Sequence, residues 1–149
     1  MHDSSRKRLL DIVDFVSNEL RDLHDYQGLD YKKYLTDKNC RRLVERMTEN
    51  ITNAVIDILK IMISEKGLEL PDSYADIMKK GGSIYKLNEA QLKHLTRLAK
   101  LRNILAHEYL DMKWEMIKGF LKEDQSTIKA LIERTKKIIS EDIRKNRNS

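Results

Sequence analysis

The sequence predicts an all-α fold, an antiparallel bundle of four long helices plus one short helix. The 149 residues include only five glycines and one proline, too few helix breakers for a many-turned β fold. Apolar residues recur at three- and four-residue steps over long segments, as on one face of a helix. Apolar residues make up 40% and charged residues 36%, which excludes a disordered chain and a membrane protein. We expect a single domain over residues 1–149, with residues 145–149 forming a loose basic tail.

The first helix is predicted over residues 5–25, with Ser4 or Ser5 as its cap and Gly28 closing the segment. Its inward face is defined by residues at helical spacing: Leu9, Ile12, Val13, Val16, Leu20 and Leu23. The stretch "LDYKKYLTDKN" that follows is predicted to be a polar connector.

The second helix is predicted from near Asp37 to Lys66, and Gly67 ends it. From Ala54 onward its apolar residues spread over several sides of the helix. A helix that is apolar nearly all round is covered by more than one neighbour. It therefore lies at the centre of the bundle or is shared with a second subunit.

The short helix is predicted to start at about Ser73, with Asp72 as its cap and Gly81–Gly82 as its stop. Asn88 and Gln91 have the spacing of a capping box and predict the start of the third long helix.

The last helix is predicted over residues 113–144, with Trp114 facing inward. Gly119 and the polar stretch "KEDQS" are expected to bend it.

Composition also limits the cellular setting and the partners. No apolar run reaches the roughly 18 residues of a membrane span, and the N-terminus lacks the apolar core of a secretion signal. The lone Cys40 excludes an internal disulfide and a cysteine-based zinc cluster, so we expect a cytoplasmic protein. The net charge of +5 permits an RNA partner but does not require one, and from charge alone a solvated lysine-rich helix face is the preferred explanation.

The stretch "RNILAHEY" brings Arg102, Asn103, His107 and Tyr109 into eight residues. Arginine offers a planar fork for phosphate oxygens, and histidine exchanges protons near neutral pH. This pair suits metal-independent RNA cleavage through attack of the 2′-hydroxyl. A continuous helix would splay Arg102 and His107 by about 140°, which favours a site shared by two subunits.

A structural interpretation of the same residues stays open. Arg102 could pair with Glu108 or with an acidic residue of the second helix. His107 could be a half-buried histidine near a helix end. Outside the motif, His94 is expected to be solvated.

The motif resembles that of HEPN-domain ribonuclease toxins, in which an arginine is followed by four residues, a histidine, any residue and a tyrosine. The resemblance is closest to the HepT type, which is paired with a minimal nucleotidyltransferase antitoxin. "RRLVERMTENITNAVIDILKIMI" is similar to the family's second helix, and "LELPDSYADIM" to its proline-containing turn and short helix. Together the similar segments cover roughly residues 5–140.

The resemblance implies a homodimer with the HEPN fold, acting as the endoribonuclease toxin of a type VII-like toxin–antitoxin system. Arg102 and His107 would be the catalytic pair, Asn103 a supporting residue and Tyr109 the acceptor of AMP from the antitoxin. Asp57 either supports this site or lies at the edge of the bundle. No metal or other cofactor is implied.

Two other functions remain open. The chain could be a non-catalytic binding module, the substrate-binding partner of a nucleotidyltransferase with Tyr109 at the docking surface. It could also be a purely structural helical dimer, in which Arg102 serves stability alone.

Overall fold

The structure, a computed structural model, describes residues 1–107 and 109–149. In that part of the chain every regular element is helical, so the all-α prediction is confirmed. The described residues form seven α-helices, a 3₁₀ turn at His24–Tyr26 and a π-helical segment at Phe120–Asp124. The α-helices are α1 (Asp3–Leu23), α2 (Tyr31–Thr36), α3 (Lys38–Glu65), α4 (Tyr74–Ile84), α5 (Glu89–Ile104), α6 (Leu110–Gly119) and α7 (Gln125–Arg147).

The helix α3 lies at the centre of the bundle. It packs against α1, α2, α4 and α5, which together cover apolar residues on several of its sides. Ile51, Ile58 and Ile63 are fully buried along it. The chain's own helices therefore account for the wide apolar surface of this helix, without a second subunit.

The N-terminal helix begins earlier than predicted. It starts at Asp3, so Ser4 and Ser5 lie inside its first turn, and the capping position is held by His2 without a side-chain hydrogen bond.

The predicted polar connector contains a helix, α2. The Asp30 side chain accepts a hydrogen bond from the Lys33 backbone N–H at 2.8 Å and so begins this helix. Tyr34 is fully buried on it, stacks against Trp114 with ring centroids 5.2 Å apart, and donates its hydroxyl hydrogen to Glu45. The prediction was wrong because the one buried side chain of a short helix leaves no periodic apolar pattern.

The short helix α4 begins one residue later than expected. The side chain of Ser73, rather than Asp72, accepts the hydrogen bond of the Asp76 backbone N–H, at 3.1 Å.

Gly81 and Gly82 lie inside α4 instead of ending it. A Cβ atom on Gly81 would stand 2.7 Å from Cδ2 of Leu59, and one on Gly82 would stand 2.9 Å from Cδ1 of Leu92. The two glycines therefore let α4 approach α3 on one side and α5 on the other. The turn comes at Lys86, whose φ of 55° is left-handed.

The last predicted helix consists of three consecutive pieces, α6, the π-helical segment and α7. The π-helical segment falls where a bend was expected, directly after Gly119. The helix α7 continues to Arg147, so residues 145–147 are helical and only Asn148 and Ser149 lie beyond it.

Candidate active site

The first half of the motif lies at the C-terminal end of α5. The capping box is present as predicted: the Asn88 side chain accepts from the Gln91 backbone N–H at 2.8 Å, and the Gln91 side chain accepts from that of Asn88 at 3.1 Å. The helix ends at Ile104. Arg102 and Asn103 therefore occupy its last turn.

The second half of the motif lies beyond the helix. The backbone N–H of His107 donates to the carbonyl of Ile104 at 2.9 Å, which closes a turn. Tyr109 then stands at the N-terminal cap of α6. The 140° splay expected of a continuous helix does not apply, because the chain leaves the helix between Arg102 and His107.

Arg102 stacks on an aromatic ring from another helix. Its guanidinium carbon lies 5.9 Å from the centroid of the Tyr74 ring, at the start of α4. Its Nε is buried and has no hydrogen-bond partner among residues 1–107 and 109–149. The suggested partner Glu108 lies outside the described residues. A guanidinium held on a ring face keeps its N–H donors available for phosphate oxygens.

His107 and Tyr109 are both open to solvent. Their ring centroids are 6.5 Å apart, and 68% of Tyr109 is exposed. His107 is thus exposed rather than half-buried as the structural interpretation supposed. Asn103 is exposed as well. A histidine that faces solvent, five residues after a partly buried arginine, can reach a bound nucleic-acid strand.

A cleft of about 570 Å³ opens beside the motif, between α3, the turn before α4, and α5. We call it the α4–α5 cleft. Its walls include Asn103 of the motif and Tyr74, whose ring contacts the Arg102 guanidinium. The remaining lining residues are Lys60, Leu70, Pro71, Asp72, Ser73, Ala75, Ile77, Thr96, Ala99 and Lys100.

Comparison with known families decides the assignment. The model of the family described as "Ribonuclease HepT-like" matches residues 16–135, a range that contains the whole motif and the turn before α4. The chain belongs to the HepT-like ribonuclease family. The resemblance recognised in the sequence is thereby confirmed, and with it the HEPN type of helical fold. A comparison with curated proteins finds no match.

Membership of the HepT-like family supports a ribonuclease activity for this chain. None of the helices that the structure describes is long and apolar enough to cross a membrane.

Asp57 of this HepT-like chain lies in a different cleft from the motif. Its side chain is 44% exposed, and its Oδ2 is 3.8 Å from Nη2 of Arg8 on α1. The cleft around it, between α1 and α3, is lined by none of the motif residues. Within one chain, Asp57 therefore lies at the edge of the bundle, and its supporting role stays a prediction.

A partly buried ion-pair cluster between α5 and the π-helical segment was missed in the sequence. Arg97 on α5 donates from Nη2 to Glu123 at 2.6 Å and to Asp124 at 2.7 Å. Burial raises the pKa of Asp124 to about 6, although the Arg97 guanidinium opposes this shift. The partners are more than twenty residues apart along the chain, so no local pattern could have shown the cluster.

His94 belongs to the same cluster and is not solvated as predicted. It is partly buried and its Nδ1 lies 2.8 Å from Oγ1 of Thr127. Burial and, second, the Arg97 charge lower its pKa. Ligand atoms of His94, Glu123 and Asp124 all lie within 4.8 Å of one another, a spacing that a metal ion could use. Arg97, however, already donates a hydrogen bond to an oxygen of each carboxylate, so the cluster is a structural link between α5 and the π-helical segment.

Proposed function

We propose that this chain is a cytoplasmic, metal-independent endoribonuclease that acts as the toxin of a type VII-like toxin–antitoxin system. The observation that carries the proposal is the placement of Arg102. Its guanidinium is held on the Tyr74 ring, at the end of the helix whose next turn exposes His107. An oriented cation and a solvent-accessible imidazole five residues apart are the two groups that RNA cleavage by internal attack requires.

The chemistry proceeds in one displacement. His107 accepts the proton of the 2′-hydroxyl, and the resulting oxygen attacks the adjacent phosphorus. The bond to the 5′-oxygen of the next nucleotide breaks, and that oxygen takes up a proton from water, while the protonated His107 returns its proton to the solvent. The products are a 2′,3′-cyclic phosphate and a free 5′-hydroxyl. Arg102 donates to the non-bridging oxygens, on which negative charge grows during the attack.

The proposed active form is a homodimer with two motifs around one groove. Exposed apolar side chains next to the motif support an assembly surface there. Four such residues are between 38% and 68% exposed: Tyr31 and Leu35 on α2, Met112 on the neighbouring α6, and Tyr109 at the N-terminal cap of α6. Tyr31 contacts α6 through a hydrogen bond to Asp111. Sedimentation velocity is expected to give a dimer, and a monomer that retains full RNA cleavage would contradict this assembly.

Inhibition would follow from AMP addition to Tyr109 by a cognate nucleotidyltransferase. The Tyr109 side chain is the most exposed of the large apolar or aromatic residues that the structure describes, and it lies beside the His107 ring. A phosphate attached to it would bring bulk and negative charge next to His107. Incubation with the nucleotidyltransferase and ATP is expected to add AMP to the wild type but not to Tyr109→Phe, as read by mass spectrometry. Equal labelling of both would contradict the acceptor assignment.

RNA cleavage by the purified protein in the presence of a chelator tests the central proposal. The wild type is expected to cleave single-stranded RNA, whereas His107→Ala and Arg102→Ala are expected to lose activity by at least about 100-fold. The exposed His24 provides a matched control, because His24→Ala removes an imidazole outside the site. Equal activity of wild type and His107→Ala would refute the assignment.

The exposed apolar surface around Tyr109 also favours a second candidate function, a non-catalytic binding partner of a nucleotidyltransferase. Stable co-purification with that enzyme, together with RNA left intact by the wild type, would support this alternative. Loss of co-purification in Met112→Glu would locate the docking surface.

A further inference from the structure

The α4–α5 cleft directly continues the proposed active site. Asn103 belongs to both the cleft and the motif, and the cleft wall includes Tyr74, whose ring contacts the Arg102 guanidinium. A volume of about 570 Å³ lies within the range of about 300–1,000 Å³ that is usual for small-molecule sites, so the cleft has room for a nucleotide. An RNA strand with its scissile phosphate on Arg102 would have a neighbouring nucleotide at the mouth of this cleft.

The charge of the cleft suits a phosphate. Lys60 on α3 and Lys100 on α5 line it from two different helices, against one acidic lining residue, Asp72. Neither lysine forms an ion pair with any residue in 1–107 or 109–149. Lys60 is partly buried, which limits its side chain to fewer positions than a fully solvated lysine has.

The rest of the lining suits a base. Leu70, Pro71 and Ala75 contribute apolar surface from the turn before α4 and its first residues, and Ala99 contributes it from α5. Apolar surface is a sequence-tolerant contact for the face of a base, because every base offers such a face. The cleft therefore combines apolar lining residues with two lysines.

We infer that the α4–α5 cleft binds the nucleotide next to the scissile phosphate of a single-stranded RNA, with Lys60 and Lys100 contacting its phosphate. This inference rests on the proposed ribonuclease function and adds a substrate subsite outside the Arg102–His107 motif. Neither lysine touches the reacting atoms, so their role is substrate binding.

The test measures RNA binding in a His107→Ala background, where cleavage does not interfere. Fluorescence anisotropy follows a labelled single-stranded RNA of about 12 nucleotides across a series of salt concentrations. Replacing Lys60 and Lys100 by alanine is expected to weaken binding about tenfold. It should also reduce the slope of log affinity against log salt by about 0.7, since one neutralised phosphate on a single strand contributes about 0.7.

Lys136→Ala combined with Lys137→Ala is the matched control, because both lysines are exposed on α7 and the change in net charge is the same. The control is expected to leave the slope unchanged. Lys100→Ala alone, at an exposed position, should also reduce the slope, by less than the double variant, and guards against a folding defect from the partly buried Lys60. Thermal unfolding confirms that each variant is folded.

An unchanged slope in the cleft variants, or an equal reduction in the α7 control, would overturn the inference. RNA cleavage by the protein with His107 intact is measured separately, so the two failures are distinguishable. If the protein cleaves RNA but the cleft variants show no change of slope, the subsite is refuted and the proposed ribonuclease function is retained. If the slope changes as expected but the protein does not cleave RNA, the proposed ribonuclease function is refuted and the cleft remains an RNA-binding site.

Discussion

The stacking of Arg102 on Tyr74 gives a prediction with a magnitude. Tyr74→Leu removes the aromatic face that lies 5.9 Å from the guanidinium carbon. A cation–π contact contributes about 0.5–1 kcal/mol when exposed and about 2 kcal/mol when desolvated. Arg102 and Tyr74 are both partly buried, so we expect a loss of about 1 kcal/mol in transition-state stabilisation. This corresponds to a decrease of about fivefold in kcat/KM for RNA cleavage.

The assay compares initial cleavage rates of one RNA substrate by the wild type, Tyr74→Leu and Tyr74→Phe. Phenylalanine keeps the ring and should retain activity within about twofold. Tyr26→Leu, at a partly buried tyrosine after α1, controls for the loss of an aromatic side chain elsewhere. The decrease should fall mainly on kcat, because the role of Arg102 is to stabilise charge that develops during the reaction. Full activity of Tyr74→Leu, or an equal loss in Tyr74→Phe, would refute the positioning role of the ring.

Two further predictions concern stability. Gly81→Ala should lower the free energy of unfolding by about 1–2 kcal/mol in urea titrations, because the clash with Leu59 outweighs a gain of about 1 kcal/mol in helix propensity. Gly28→Ala is the control, because no atom lies within 4 Å of the added Cβ. Equal losses of stability in the two variants would contradict the close packing of α4 on α3. For Asp124, burial raises the pKa from 3.8 to about 6, so the protonated form favours the folded state. Its contribution is complete below about pH 4 and is lost as the pH rises to about 6, by about 3 kcal/mol at most. Asp124→Asn should lack this part of the pH dependence, and identical pH profiles of unfolding would contradict the shift.

Elements with a long or local signal were predictable from the sequence. The central helix α3 repeats its apolar pattern over many turns, and the capping box of Asn88 and Gln91 fixes the start of α5 within the sequence itself. The motif from Arg102 to Tyr109 was visible because its residue types and spacing are contiguous in the chain.

Features that depend on residues far apart in the chain were not predictable in this way. In the sequence alone, Gly81 predicts the end of a helix. The structure shows that a glycine is needed inside α4 because Leu59 of α3 packs against this position. The contact between Tyr74 and Arg102 joins two helices, and nothing in either segment indicates the other. The end of α5 at Ile104 also escaped prediction, since leucine and alanine continue past it and favour helix.

Arg102 and His107 are proposed to cleave RNA through the 2′-hydroxyl, and the chemical ends of the products test this mechanism most directly. In the presence of a chelator, the wild type should convert single-stranded RNA to fragments with 2′,3′-cyclic phosphate and 5′-hydroxyl ends, as read by mass spectrometry. The same oligonucleotide with every 2′-hydroxyl methylated should remain intact. Cleavage of the methylated strand, or fragments that carry 5′-phosphate ends, would contradict the mechanism.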